Sequence, residues 1–235
     1  MSTELLRPAE ALTSRWWGGM SARIVWRSAI SGLLLSLGTV VAGVLAMGLG
    51  QAVGQLIGDS VGRIVGVVLI LLGLGMVGAL WARALTKVAK VPHTRRLLLA
   101  TAAVNALGTI ALVMVLGALE EDLVENGNTT LTLHNLYTLL FVSAALISGA
   151  VMGATVGFGV GGVRMALRLM WRGALDCAAA YLVLYVLQDV LGRRVGGPNA
   201  AETATMITVT LVCNIGSAMA LSVALVSGLK PAEVK

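Results

Sequence analysis

Six long stretches of this chain carry almost no charge, and their spacing constrains the fold more than any other feature. The stretches cover residues 28–58, 64–82, 97–119, 136–163, 173–191 and 203–229. Each can cross a hydrocarbon core about 30 Å thick, because a helix rising about 1.5 Å per residue needs roughly 20 residues for that distance. The pattern predicts an all-α, polytopic membrane protein with six transmembrane helices.

The composition leaves no room for a separate soluble domain. The mean hydropathy is +0.91 and only 12% of the residues are charged. We therefore divide the chain into a cytoplasmic segment (1–22), a six-span domain (23–229) with halves 23–119 and 131–229, and a cytoplasmic tail (230–235). The first segment has apolar residues at helical spacing, which is typical of an interfacial amphipathic helix. A flexible tail is the alternative.

The basic residues fall on alternate sides of the six stretches. Of the 17 Lys and Arg residues, 14 lie on one side and only Arg63, Arg193 and Arg194 on the other. Loops rich in Lys and Arg resist translocation and stay in the cytoplasm. The distribution therefore predicts that both termini are cytoplasmic, in a cell membrane that we expect to be a prokaryotic cytoplasmic membrane. Because these charges are spread over short loops and termini, they do not indicate nucleic-acid binding.

Two series of glycines follow a strict four-residue step. They comprise Gly50, Gly54, Gly58, Gly62 and Gly66 in the first series, and Gly149, Gly153, Gly157 and Gly161 in the second. Small residues four apart allow helix backbones to approach closely in a membrane, where lipid removes the hydrophobic driving force between helices. Such series are possible contact surfaces for a second copy or for other membrane subunits. The first series passes Asp59, so we expect its later part to lie in a turn and at the start of the second span.

The two halves of the chain resemble each other weakly. A shift of 99 positions overlays four glycines of the two series, and a shift of 109 overlays Thr101 on Thr210 and Asn105 on Asn214. A unit of three spans that is repeated once must be inverted, as in many transporters. The sequence thus predicts two inverted three-helix repeats, with chance matching in an Ala- and Gly-rich chain as the alternative.

Asn105 and Asn214 are candidate substrate-binding residues, since each lies near the middle of a predicted span. An amide at that depth needs hydrogen-bond partners, because an unsatisfied polar group in hydrocarbon costs several kcal/mol. In an inverted repeat the two amides could meet at the midplane, where substrate sites tend to lie. The alternative is a purely structural interhelical bond, worth roughly 0.6–2 kcal/mol.

The fifth span carries the remaining candidates. Asp176 is the one carboxylate that we place inside a span for ion or proton coupling, although an ion pair with Arg172, four residues earlier, explains it equally. Tyr181, Tyr185 and Gln188 share one helical face. They either line a pathway as substrate-binding residues or pack against other helices.

The size and layout resemble those of aquaporins and of formate/nitrite channels, which also use six spans arranged as inverted triplets. The resemblance is one of architecture and carries no functional residues. Prolines occur only at 8, 92, 198 and 231, outside the predicted spans, so the two Asn-Pro-Ala motifs of aquaporins are absent. The pore histidine of formate/nitrite channels is absent too, because His93 and His134 lie outside the spans.

No residue set in the sequence suits an intramembrane hydrolase or a metal site, so we expect no enzyme and no metal, and no cofactor can be named. The leading interpretation is that the protein moves a small solute or ion across the membrane at the interface of the two halves. The alternative is a non-catalytic accessory or scaffold subunit of a larger membrane complex.

Overall fold

A computed structural model of the protein describes the backbone of residues 20–125, 130–195 and 202–229. It describes the side chains of residues 20–115, 139–187 and 211–229. These described parts are all-helical, with no strand, as the sequence predicts. Five helices are long and apolar enough to cross a membrane. The predicted interfacial helix in residues 1–22 lies almost wholly outside the described residues.

The five helices follow one another with short connections. They are α1 (Ala22–Ile57), α2 (Asp59–Ala89), α3 (Arg95–Glu125), α4 (Thr130–Val195) and α5 (Glu202–Leu229). No proline interrupts any of them, so no backbone hydrogen bond within them is lost to an imide. At the α2–α3 connection Lys90 takes a left-handed conformation (φ 58°), and the Thr94 hydroxyl accepts a hydrogen bond from the Leu97 N–H at 3.1 Å. Such caps end one helix and begin the next.

α1 and α2 form a hairpin around a single residue, Gly58. Its backbone (φ 129°, ψ 145°) is a conformation open mainly to glycine, and it reverses the chain between Ile57 and Asp59. The expectation that the first glycine series continues through a turn is therefore confirmed. A methyl group on Gly50 would lie 2.9 Å from the Gly66 Cα atom. The two helices approach so closely that a side chain larger than hydrogen does not fit there.

α4 also folds back on itself, at Gly162. This residue has φ 75° and ψ −161°, which separates a first arm (130–161) from a second arm (163–195). A methyl group on Gly149 would overlap the Gly173 carbonyl, and one on Gly153 would overlap the Leu169 carbonyl, so the arms run antiparallel in close contact. Residues 164–172, which lie between the fourth and fifth apolar stretches of the sequence, are helical, and the chain reverses at Gly162 before them. Because glycines let the arms touch, one glycine suffices to reverse the chain.

Within the described part of the chain, a cluster of buried apolar side chains lies at one end of the bundle. It draws on the start of α1 and α3, the last part of α2 and α5, and both arms of α4 beside the turn. Its members include Leu35, Trp81, Leu85, Leu97, Val156, Leu169, Leu225 and Val226. Because α1 and α3 begin in this cluster whereas α2 and α5 end in it, and the two arms of α4 meet there, consecutive segments alternate in direction. We call this the Gly162 end, and the opposite end, where α1 meets α2, the Gly58 end.

Buried hydrogen bonds tie the helices together within this core. The Trp81 indole N–H of α2 donates to the Ser222 hydroxyl of α5 at 2.9 Å, and both residues are buried. The Arg172 guanidinium of α4 donates to the Ser227 hydroxyl at 3.1 Å. Pairing of polar groups of this kind is needed wherever water is absent. At the Gly162 end the described helices are thus tightly packed and joined by hydrogen bonds. We call the cluster of buried side chains at this end the plug.

The Gly58 end is packed differently in the described residues. Between residues 36 and 73 the buried residues are Ala46, Gly50, Gly54, Gly62 and Gly66, all on the seam between α1 and α2. Large apolar side chains around them are exposed, among them Val44 (60%), Leu45 (59%) and Ile64 (66%). A broad exposed apolar surface of this kind fits contact with lipid. In the part of the chain whose side chains are described, the closest contacts along this seam join α1 to α2.

Candidate functional site

Asn105 lies in α3 against α2. Its side chain is 9% exposed, and its amide nitrogen donates to the Leu74 carbonyl at 2.8 Å. Gly78 makes room for it, since a methyl group on Gly78 would lie 2.7 Å from the Asn105 Cβ atom. The interhelical bond that the structural interpretation requires is therefore present. A role of Asn105 in substrate binding stays a prediction.

Asn214 lies in α5 and is exposed, although its neighbours Cys213 and Ser217 are buried. The described structure shows no hydrogen bond between its amide and that of Asn105. An exposed amide within an apolar helix has to meet water or a polar group of another molecule, because hydrocarbon offers it no partner. The hydrogen-bond partner of the Asn214 amide is consequently the main question that this part of the bundle raises.

The two amides lie at similar depth. α2 and α5 run in the same direction, since both end in the core at the Gly162 end, and Trp81 of α2 bonds Ser222 of α5. Leu74, which accepts from Asn105, is seven residues before Trp81, and residue 215 is seven before Ser222. At equal rise per residue, Asn214 therefore lies close to the level of the Leu74 carbonyl.

The tyrosine stripe of the second arm faces other helices. Tyr181 is 2% exposed and stacks on Phe141 of the first arm, with ring centroids 6.1 Å apart and an interplanar angle of 11°. Tyr185, one turn further, is half-buried. Such aromatic pairs contribute to packing. The Gln188 side chain lies outside the described residues, so its predicted place on a pathway stays open.

Ser217, one turn along α5 from Asn214, was not singled out as a site residue from the sequence. Its hydroxyl is buried and has no hydrogen-bond partner of ordinary geometry in the described part of the chain. The Cys177 thiol, a weak hydrogen-bonding group, lies beside it. A buried hydroxyl left in this state is unusual. In the sequence, the one indication that Ser217 belongs to a candidate site is its position three residues after Asn214.

Asp176 is half-buried on the second arm and interacts electrostatically with Arg172, one turn earlier. Arg172 also reaches Ser227 of α5, so the pair is tied to a neighbouring helix. This arrangement is what the local ion-pair interpretation expects. Ion or proton coupling by Asp176 remains a prediction.

A cleft of about 570 Å³ opens at the Gly58 end, between α1 and α2. Its lining residues are Met47, Gly50, Gln51, Gly54, Gln55, Asp59, Gly62, Arg63, Gly66, Val67 and Ile70. Its polar residues Gln51, Gln55, Asp59 and Arg63 fall at four-residue steps, each one position after a glycine of the first series. This regular spacing is the signal in the sequence that points to these four residues.

Within the described residues, no three His, Cys, Asp or Glu side chains gather closely enough to hold a metal ion. The two cysteines described, Cys177 and Cys213, are buried and are not joined in a disulfide. Comparison with protein-family models, with curated proteins and with solved structures gives no match.

Proposed function

We propose that this protein crosses the membrane six times and moves a small solute or ion. Counting the two arms of α4 separately gives six segments of alternating direction. The exposed basic residues of the α2–α3 connection and of the second arm lie at the Gly162 end, among them Arg83, Lys87, Arg95, Arg164 and Arg168. Basic residues stay on the cytoplasmic side. The Gly162 end is accordingly assigned to the cytoplasm of a prokaryotic cell, with both termini on that side.

Two inverted three-helix units are the second part of the proposal. The hairpins at Gly58 and Gly162 turn at opposite ends of the bundle. Gly32 of α1 touches Ala218 of α5, and the equivalent pair of segments, α3 and the first arm, touches at Leu97 and Gly159. A two-fold axis in the membrane plane would relate α1 to the first arm and α3 to α5, so it would relate these two contacts to each other. It supports the division into halves 23–119 and 131–229.

The exposed Asn214 carries the transport proposal. It lies just beyond the closed plug, near the level of the Asn105 amide, where an aqueous pathway open at the Gly58 end would stop. Water in such a pathway would satisfy its amide. Asn105 and Asn214 would then contact the solute, with Tyr181, Tyr185 and Gln188 beside it. Asp176, on the closed side, would couple the movement to an ion or a proton.

The test is solute-driven shrinkage and re-swelling of reconstituted vesicles, followed by light scattering over a panel of small neutral, zwitterionic and ionic solutes. We expect at least one solute to re-swell vesicles that hold the protein, and Asn105→Leu combined with Asn214→Leu to abolish this. Met114→Leu with Leu211→Met, exposed positions on the same helices, serves as the matched control. Unchanged flux in a folded double-Asn variant would remove the site.

An accessory or scaffold subunit is the second candidate, and one observation favours it. The Asn105 amide is already bonded to Leu74, and Asn214 could be covered by a polar group of another membrane subunit instead of water. Extraction in mild detergent, followed by sizing and mass spectrometry, separates the two roles. A stoichiometric companion that crosslinks to Asn214→Cys favours the scaffold, whereas a lone chain or a homo-oligomer favours transport. In either role we expect no catalytic activity.

A further inference from the structure

The cleft at the Gly58 end combines four polar side chains that the proposed pathway has not used. Gln51 and Gln55 of α1 face Asp59 and Arg63 of α2 across the glycine seam, and all four are exposed. Its volume of about 570 Å³ is within the range of small-molecule pockets, roughly 300–1,000 Å³. The cleft is therefore large enough for a metabolite of ordinary size.

The cleft opens on the side of the hairpin that faces the rest of the bundle. Arg63, Ile70, Leu74 and Trp81 are spaced by seven, four and seven residues, which keeps them on one face of α2. On that face Leu74 accepts from α3 and Trp81 bonds α5. The cleft thus continues the interior face of the bundle beyond the plug, and it does not lie on the outer surface of the hairpin.

Asp59 and Arg63 present opposite charges that are available to a ligand. Asp59 lies against the seam, since a methyl group on Gly54 would lie 3.7 Å from both its Cα atom and its Oδ1 atom. Arg63 follows one turn later, roughly 6 Å along the helix axis. Neither charge forms a salt bridge with another residue of the described chain. Two exposed, opposite charges one helical turn apart gain little free energy from pairing with each other in water. A ligand that binds both therefore displaces only a weak interaction.

We propose that this cleft binds a small zwitterion of the amino-acid class, with its amine on Asp59 and its carboxylate on Arg63. Arginine binds carboxylates through two parallel hydrogen bonds. The amides of Gln51 and Gln55 can donate to or accept from the remaining polar atoms of the ligand. Because the cleft has no net charge, a simple cation or anion gains only one of the two contacts. The inference names the substrate class of the proposed pathway and rests on that function.

Binding to the purified full-length protein in detergent tests the site without any assay of flux. Calorimetry and thermal unfolding would compare glycine, β-alanine and γ-aminobutyrate, which separate amine and carboxylate by increasing lengths. Butylamine and butyrate each carry one of the two charges. We expect at least one zwitterion to bind and to raise the unfolding temperature, and each single-charge compound to bind about tenfold or more weakly. Equal binding of butylamine or butyrate, or no binding of any zwitterion, would overturn the site.

Charge-neutralising variants locate the site in the cleft. Asp59→Asn and Arg63→Gln should each weaken zwitterion binding about tenfold, which is the usual order for losing one charged contact. Arg83→Gln, an exposed arginine on the same helix outside the cleft, is the matched control and should bind as the unaltered protein does. If Asp59→Asn or Arg63→Gln binds the zwitterion as tightly as the unaltered protein does, the assignment to the cleft is wrong.

The inference and the proposed function fail in different ways. Zwitterion binding that depends on Asp59 and Arg63, in a protein whose vesicles show no flux, would keep the site and remove transport. Flux that depends on Asn105 and Asn214, in a protein that binds no zwitterion, would keep transport and remove the site.

Discussion

The two glycine hairpins use the same means of contact in different surroundings. Around Gly162 the two arms meet through glycines and are also held by neighbours, since Leu97 of α3 touches Gly159 and Leu221 of α5 touches Gly173. Around Gly58 the contacts of Gly50, Gly54, Gly62 and Gly66 are all within the hairpin, and the flanking side chains are exposed. Among the described side chains, those around Gly162 belong to a core of several helices, whereas the glycine contacts around Gly58 join only α1 and α2.

The difference shows that a glycine series determines which two helices touch but not what surrounds them. At the Gly162 end the surrounding helices exclude water and fix the backbone through many apolar contacts. At the Gly58 end the polar groups beside the seam stay accessible. A packed end gives stability, and an accessible end leaves groups available for binding. The predictions below test this contrast, beginning with the largest expected effect.

Gly153→Ala should destabilise the protein most. Its new methyl group would overlap the Leu169 carbonyl, and the two arms cannot separate because α3 and α5 pack against them. We expect a loss of about 3 kcal/mol or more, at the upper end of the overpacking range. Thermal unfolding and size-exclusion chromatography in detergent would measure it. Unfolding at the unaltered temperature would contradict the packed-core description.

Gly62→Ala should cost less, although its methyl group would lie 2.5 Å from the Gly54 Cα atom. The described atoms nearest to this methyl group all belong to α1, so a local separation of α1 and α2 can relieve the overlap. We expect a loss of about 1–2 kcal/mol in the same unfolding experiment. A loss equal to that of Gly153→Ala would show that the Gly58 end is as tightly held as the other.

Trp81→Phe should cost about 1 kcal/mol, because it removes one buried hydrogen bond and leaves the Ser222 hydroxyl without its donor. Ser222→Ala and the double variant complete a double-mutant cycle. The coupling energy should be roughly 0.6–2 kcal/mol, as for hydrogen bonds between membrane helices. A coupling of zero would mean that this bond does not hold α2 to α5.

Gly48→Ala should have the smallest effect, and of opposite sign. No atom lies within 4 Å of a methyl group placed on this glycine of α1. Alanine favours the helix by up to about 1 kcal/mol over glycine, so the unfolding temperature should stay the same or rise slightly. A marked loss of stability or of oligomeric state would indicate that Gly48 forms part of an interface between subunits.

The helices could be predicted from the sequence with few errors. Hydropathy placed the five apolar helices that the structure describes, and Asp59 indicated a turn between the first two, since both depend on local chemistry. The sequence did not indicate that residues 164–172 are helical, because their arginines mark the membrane boundary whether the backbone is helical or not. Only the φ value of Gly162 shows that a single residue reverses the chain there.

The candidate site was less predictable. The sequence indicates that Asn105 and Asn214 are polar groups at depth, but their surroundings depend on how distant helices pack. The Leu74 carbonyl that receives Asn105 and the exposure of Asn214 are both properties of the tertiary structure. The cleft likewise requires α1 and α2 to meet, which brings Gln51 and Asp59 to one opening.

Accessibility of residue 214 to water tests the central claim most directly. Asn214→Cys would be introduced after replacing Cys177 and Cys213 by alanine, and treated in intact vesicles with a membrane-impermeant thiol reagent from the Gly58 side. Leu225→Cys, fully buried, and Leu45→Cys, exposed but outside the cleft, serve as controls. The account predicts labelling of Asn214→Cys alone. An unlabelled Asn214→Cys would contradict a water-filled pathway above the plug.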